Sequence, residues 1–195
     1  AVRHGHSSGS PQPPGTTPSG SPTPTAGHPG RCPSRGETRN GRTPDLPKLR
    51  DALGRLGQLP CPDLPLKHAA QRWSTFSDSP GLFAGTALLH TELSPGNVLI
   101  TETSAQLVDW AWPTRGASWI DPACAVVWLI AFGHTPADAE KWAEQLPAWH
   151  TATPTHLAAF AQAQHTMWAS IAEDHPDAWI FRVAQGAQRW AEHRR

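Results

Sequence analysis

Almost every large apolar side chain of this 195-residue chain lies after residue 44. The first 44 residues carry the run GSPQPPGTTPSGSPTPTAGHPG, in which proline, glycine, serine and threonine dominate. Proline removes backbone donors and glycine adds chain entropy, and little apolar area is present to offset the cost of ordering. Residues 1–44 are therefore expected to form a disordered tail or linker. Residues 45–195 are expected to form one domain around a single core, within the usual domain size. His4, His6 and His28 are irregularly spaced in the tail, which favours exposed histidines over a metal site. The chain starts without Met, as a processed protein or a fragment does.

Charge and cysteine content exclude several classes. The formal net charge is zero, so nothing marks the chain for nucleic acid or an anionic membrane surface. Cys32, Cys61 and Cys124 are far apart and odd in number, which argues against a zinc site or a disulfide framework. Cys124 lies in an apolar run and reads as a small core residue. This cysteine usage fits a reducing cytoplasm. The longest apolar run, Ala123 to Phe132, has the length of a buried helix rather than a membrane span. The N-terminus lacks the pattern of a secretory signal.

Periodicity divides the remainder into elements. Leu46, Leu49, Leu53 and Leu56 recur at helical spacing between Asp45, a candidate N-cap, and Gly57. Lys67 to Phe76 reads as a second amphipathic helix with Ala69, Ala70, Trp73 and Phe76 inward. Ser77 to Gly85 reads as loop, with a short turn around Leu82 and Phe83. Two short strands, Val98–Ile100 and Gln106–Val108, follow an apolar run that begins at Ala87. Pro122 to Phe132 is apolar on all sides, hence a buried helix that Gly133 ends. Thr135, Pro136 and Asp138 form a capping signature for a helix running to about Leu146. Pro154 to Asp174 places Leu157, Phe160, Gln164, Met167, Trp168 and Ile171 on one face. Asp174 is expected to cap a last helix from Pro176 to about Glu192, with Trp179, Val183 and Trp190 inward.

The chemistry gathers in Leu88 to Trp110, LLHTELSPGNVLITETSAQLVDW. His90, Glu92, Asn97 and Asp109 stand at strand ends and loop edges, where a rigid scaffold presents side chains to a ligand. Pro95 and Gly96 turn the chain between Glu92 and Asn97. Each group alone reads as a surface acid, a turn former or a terminal charge; in this order, between two short strands, they meet the needs of phosphoryl transfer. A carboxylate must accept a hydroxyl proton, and hard oxygen ligands must hold a divalent cation against phosphate. Glu92 is the candidate base, Asn97 and Asp109 are the candidate cation ligands, and His90 is the candidate brace of the loop.

LLHTELSPGNVLI, followed by AQLVDWAWPTRGASWIDPA, resembles the C-terminal lobe of the aminoglycoside phosphotransferase and choline kinase-like family, particularly its actinobacterial members. The resemblance covers about Asp45 to the C-terminus. It implies an α+β, mostly helical fold, the C-terminal lobe of a protein-kinase-like enzyme with a short β-hairpin at the catalytic loop. It implies an ATP- and magnesium-dependent phosphotransferase acting on a hydroxyl of a small, aminoglycoside-like molecule. His90, Glu92 and Asn97 match the family's catalytic loop, Asp109 its magnesium-binding Asp, and Asp121 the acid that anchors the loop from the next helix. Two departures accompany it. Glu92 stands where the family has Asp, and no strand-borne lysine precedes the loop to contact phosphates; Lys48 and Lys67 lie in helical patterns. A truncated or degenerate lobe without catalysis is the alternative. A binding module using its ten tryptophans is a third reading, opposed by their core-facing positions.

Overall fold

The computed structural model describes residues 45–195. The readings of the first 44 residues, including the tail, His4, His6, His28 and Cys32, fall outside them. Helix α1 (Leu46–Leu56) turns Ala52, Leu53 and Leu56 into the core, with Leu46 and Leu49 packed at its edge. Asp45 stands at the N-cap position but does not cap. Its backbone is already helical, and its carboxylate accepts from Lys48 Nζ at 3.4 Å instead of from the helix N–H groups.

The second expected helix is mostly absent. Lys67–His68 form a strand, β1, and only Ala69–Arg72 are helical, as α2. The cause is tertiary: β1 pairs in parallel with Thr114–Gly116, a strand at the end of the AWPTRG segment. Strand β2 (Ala87–Leu89) pairs antiparallel with the same partner. Gly116 is required there, because a Cβ would lie 2.5 Å from Ala69 Cβ and 2.8 Å from Leu89 Cδ1. Of the expected inward residues, Ala69 and Trp73 are buried, whereas Ala70 and Phe76 are half-buried. The turn expected around Leu82 and Phe83 is a 3-10 turn, Pro80–Phe83, and Phe83 is fully buried.

Strand β3 (Val98–Ile100) has the expected bounds, and β4 is Ala105–Leu107, one residue earlier than expected. The turn sets this register. Thr101 N–H donates to the Ser104 carbonyl at 2.8 Å, so pairing resumes at Ala105, opposite Ile100. Thr114–Gly116 is β5, and the larger sheet has the order β1-β5-β2.

Helix α3 (Ile120–Ala131) starts two residues before the expected position, is buried from Ile120 to Ile130, and ends before Gly133 at φ +103°. Helix α4 (Pro136–Ala143) is capped by Thr135, whose Oγ1 accepts the Asp138 N–H at 3.1 Å. The Asp138 carboxylate takes the Thr135 hydroxyl rather than its backbone N–H. Regular helix stops at Ala143, and a 3-10 turn (Pro147–Thr151) follows. Helix α5 (Pro154–Asp174) has the expected bounds; of its expected face Leu157, Phe160, Gln164 and Trp168 are buried, whereas Met167 and Ile171 are half-buried. Asp174 is its last residue and caps nothing; α6 runs Ala178–His193.

The result is α+β and mostly helical, with α3 along the centre against α4 and α6. Gly186 of α6 lets the backbones of α3 and α6 approach, since a Cβ there would lie 2.9 Å from Ala131 N. Cys124 is a buried core residue, as expected. Trp110 alone among the tryptophans is exposed; Trp112 and Trp179 are half-buried. At the far end of α6, the Glu140 carboxylate accepts from Trp190 Nε1 at 2.6 Å and from Arg194 Nε at 2.5 Å, which ties α4 to α6. Among the described residues no helix is long and apolar enough to cross a membrane.

Candidate functional site

The loop that leaves β2 is shaped by one carboxylate. Asp121, buried in the first turn of α3, accepts the His90 N–H on one oxygen and the Thr91 N–H on the other, each at 2.8 Å. Between these bonds Thr91 adopts φ +66°. A β-branched residue in that region stores about 1–3 kcal/mol, retained only where the surroundings over-determine it. The Thr91 hydroxyl donates to the Trp112 carbonyl at 3.1 Å, a third tie. Farther along, Asn97 Nδ2 donates to the Glu92 carbonyl at 3.2 Å and closes the turn through Pro95 and Gly96.

His90 braces this loop against the hairpin. Its Nε2 lies 2.9 Å from the Val108 carbonyl, which can only accept, so Nε2 carries the proton. Nδ1 then faces the Glu92 N–H, at a long 3.4 Å. The ring meets Trp110 edge-on at 4.6 Å. Burial holds the imidazole below its ordinary pKa, against the Val108 carbonyl and the Asp109 charge. A histidine lowered by folding contributes stability that is complete above its ordinary value of about 6.5, and loses it as the pH falls through the lowered value. His90→Gln keeps a donor for Val108 and removes the titration. Urea unfolding from pH 7 to pH 5 is expected to show the stability advantage of the parent over this variant shrinking with acid; a constant difference would rule the assignment out.

Glu92 is half-buried, and no described side chain or backbone group donates to its carboxylate. Burial pushes its pKa above the ordinary carboxylate range; the Arg72 guanidinium opposes this, and the Asp109 charge adds to it. Asp109 is exposed at the end of the hairpin with φ +57°, a left-handed conformation that Asp tolerates better than most residues. Asn97 donates through nitrogen, which leaves its Oδ1 for another partner. The structure thus gathers His90, Glu92, Asn97 and Asp109 at one end of the β3–β4 hairpin. Among the described residues no cluster of three or more His, Cys, Asp and Glu side chains stands ready for a metal. A cation here would rest on Asn97, Asp109 and the oxygens of a ligand, which suits magnesium, an ion that takes one or two carboxylates alongside phosphates and water.

Arg72 is the residue that sequence reasoning missed. It lies at the end of α2, with its Cζ 5.5 Å from the Trp73 ring and 5.2 Å from the Trp112 ring. Its charge acts on Cys124, Glu92 and Asp121, and desolvation lowers its pKa. One signal was available: Arg72 follows Ala69 by three residues and shares its inward helical face.

No protein-family model, no curated protein and no solved structure matches this chain.

Proposed function

We propose that this chain is the C-terminal lobe of a kinase-like phosphotransferase, in which Glu92, Asn97 and Asp109 form the acceptor and cation side of an ATP- and magnesium-dependent site. The observation that carries this reading is the Asp121 clamp. A buried acid on the following helix fixes the two backbone N–H groups just before Glu92, as a loop needs when its task is to hold a base in one place.

The chemistry follows from positions. Glu92 accepts the proton of a small-molecule hydroxyl and orients its oxygen; a carboxyl with a raised pKa is the stronger base while it stays ionised. His90, neutral and bound to Val108, keeps the loop against the hairpin. Asn97 Oδ1 and Asp109 would hold magnesium, which neutralises the charge on phosphate oxygens when bound. Positioning and electrostatics supply nearly all the catalysis in this reaction class, so the clamp is worth more here than another reactive group.

The competing reading is a lobe that does not catalyse. Glu92 favours it, since one extra methylene displaces the carboxylate, and a shift on the order of 1 Å costs about a hundredfold in rate. Lys48 favours it too, because its ammonium is engaged by Asp45 and the Thr101 carbonyl. The test is transfer of labelled γ-phosphate to a panel of aminoglycosides and amino alcohols by the parent, Glu92→Asp and Glu92→Gln. The expected order is Glu92→Asp fastest, up to about a hundredfold above the parent, and Glu92→Gln inactive. No transfer by any of the three, with no thermal shift at millimolar Mg-ATP, supports the non-catalytic lobe, because a ligand stabilises a fold only as far as it binds.

A further inference from the structure

We propose that Arg72 is an oxyanion-binding residue of this site and takes a phosphate group beside Glu92. Three observations place it there. The first is rigidity. Two indole rings stand within cation–π distance of the guanidinium, at 5.5 Å and 5.2 Å, and the backbone of one of them, Trp112, is tied to the catalytic loop through the Thr91 hydroxyl.

The second is that its donors have no partner among the described residues. A guanidinium carries five N–H donors and no acceptor. No described carboxylate pairs with Arg72, and no described oxygen takes a hydrogen bond from it. Other described arginines spend their donors on the protein itself: Arg50 on Asp51 and Gln145, Arg55 on the Ala105 carbonyl, Arg115 on the Pro62 carbonyl, Arg189 on the Ile130 carbonyl and Arg194 on Glu140. Arg72 is more than half-enclosed and still has no hydrogen-bond partner among the described residues.

The third is what surrounds it. Asp121 accepts the two loop N–H groups and acts on Arg72 by its charge, with no hydrogen bond between the two side chains among the described residues. Glu92 contributes an attractive charge, without direct pairing. A fixed guanidinium with unused in-plane donors matches a phosphate group in the two-pronged manner that arginine favours. This rests on the phosphotransferase reading and deepens it. The acceptor oxygen lies at Glu92, so a phosphate held by Arg72 is either the group in transfer or the one just transferred.

The experiment uses the full chain with ¹⁵N label and follows the Arg72 Nε–H resonance as inorganic phosphate is added, with acetate as a parallel arm. Arg72→Lys provides the assignment and Arg72→Met the loss variant, each first checked for a cooperative melt. The expected result is a saturable shift of the Arg72 signal with phosphate, little response to acetate, and phosphate binding at least about tenfold weaker in Arg72→Met, with Arg72→Lys between. An equal response to acetate would recast the residue as a carboxylate binder and overturn the assignment to phosphate. An Arg72 signal that ignores phosphate while the parent is folded overturns the proposal outright, and this arm needs no folded variant. Phosphate binding without any γ-phosphate transfer would instead remove the transferase reading and leave Arg72 as an anion site.

Discussion

Asp121→Asn is expected to loosen the candidate site more than any change to the groups that would touch a ligand. Asparagine brings one carbonyl oxygen and one NH₂ group, so one of the two loop N–H donors, His90 or Thr91, would face another donor in a buried place. An unsatisfied buried donor and a lost charge-assisted bond together cost about 2–4 kcal/mol, which for a domain of this size lowers the melting temperature by roughly 10 °C. The Thr91 conformation at φ +66° loses its restraint as well. Amide exchange at residues 90 and 91 should accelerate ahead of the helices. Parent-like melting with unchanged protection of those two amides would mean that the clamp is incidental.

The same carboxyl gives the stability a pH signature. Burial holds it up at about 6, above the ordinary aspartate range, despite the two N–H donors and Arg72. A carboxyl raised by folding contributes stability that is complete below its ordinary value of about 4, and that contribution is lost as the pH climbs through about 6. The stability difference between parent and Asp121→Asn should therefore decline across that window. His90 acts in the opposite sense, which is why each group is read against its own variant.

Phe160→Ala is the second large effect. Phe160 is fully buried at the meeting point of four rings: Trp73 at 5.0 Å, Phe83 at 5.3 Å, Trp119 at 5.4 Å and Trp190 at 6.4 Å. These rings come from the α2 end, the 3-10 turn, the start of α3 and α6, so the lost volume has walls that cannot all move inward together. Truncating a Phe in such a place costs about 3–5 kcal/mol, or roughly 10 °C in melting temperature. Phe160→Leu should cost clearly less, because it keeps most of the volume. Equal losses from Ala and Leu would show that ring geometry, not volume, holds the cluster. Trp73 adjoins Arg72, so Phe160→Ala should also broaden the Arg72 signal.

The long helices were legible because their signals are local. Helix α5 carries its face at 3.6-residue spacing from Pro154, and α3 is apolar on every side. The short elements were not. Lys67 and His68 look helical by propensity and become strand only because β5 lies beside them, and β5 itself is three residues inside a turn-rich segment. Helix starts at Asp45 and Asp174 misled for one reason: an acid before an apolar pattern is a cap only if its own backbone is extended and its side chain is free. Asp45 is already helical and engaged by Lys48; Asp174 is still inside α5. That His90, Glu92, Asn97 and Asp109 lie together at the hairpin end was legible from their spacing, and the hydrogen bonds of Asp121 to the loop agree with the anchor the resemblance implies. Arg72 was not, because what sets it apart is the lack of a hydrogen-bond partner among the described residues, and that is a property of three-dimensional surroundings.

The pairing of β1 with β5 has a consequence for the order in which the molecule assembles. Lys67 meets Thr114 across a long stretch of chain, and the clamp loop and hairpin lie wholly within the segment so enclosed. By contrast, α5 and α6 are neighbours in sequence and make the largest interface between elements. Loop-closure entropy must be overcome before distant contacts return anything. The α5–α6 pair, local in sequence, is therefore expected to form before the β1–β5 pairing that encloses the clamp loop and hairpin.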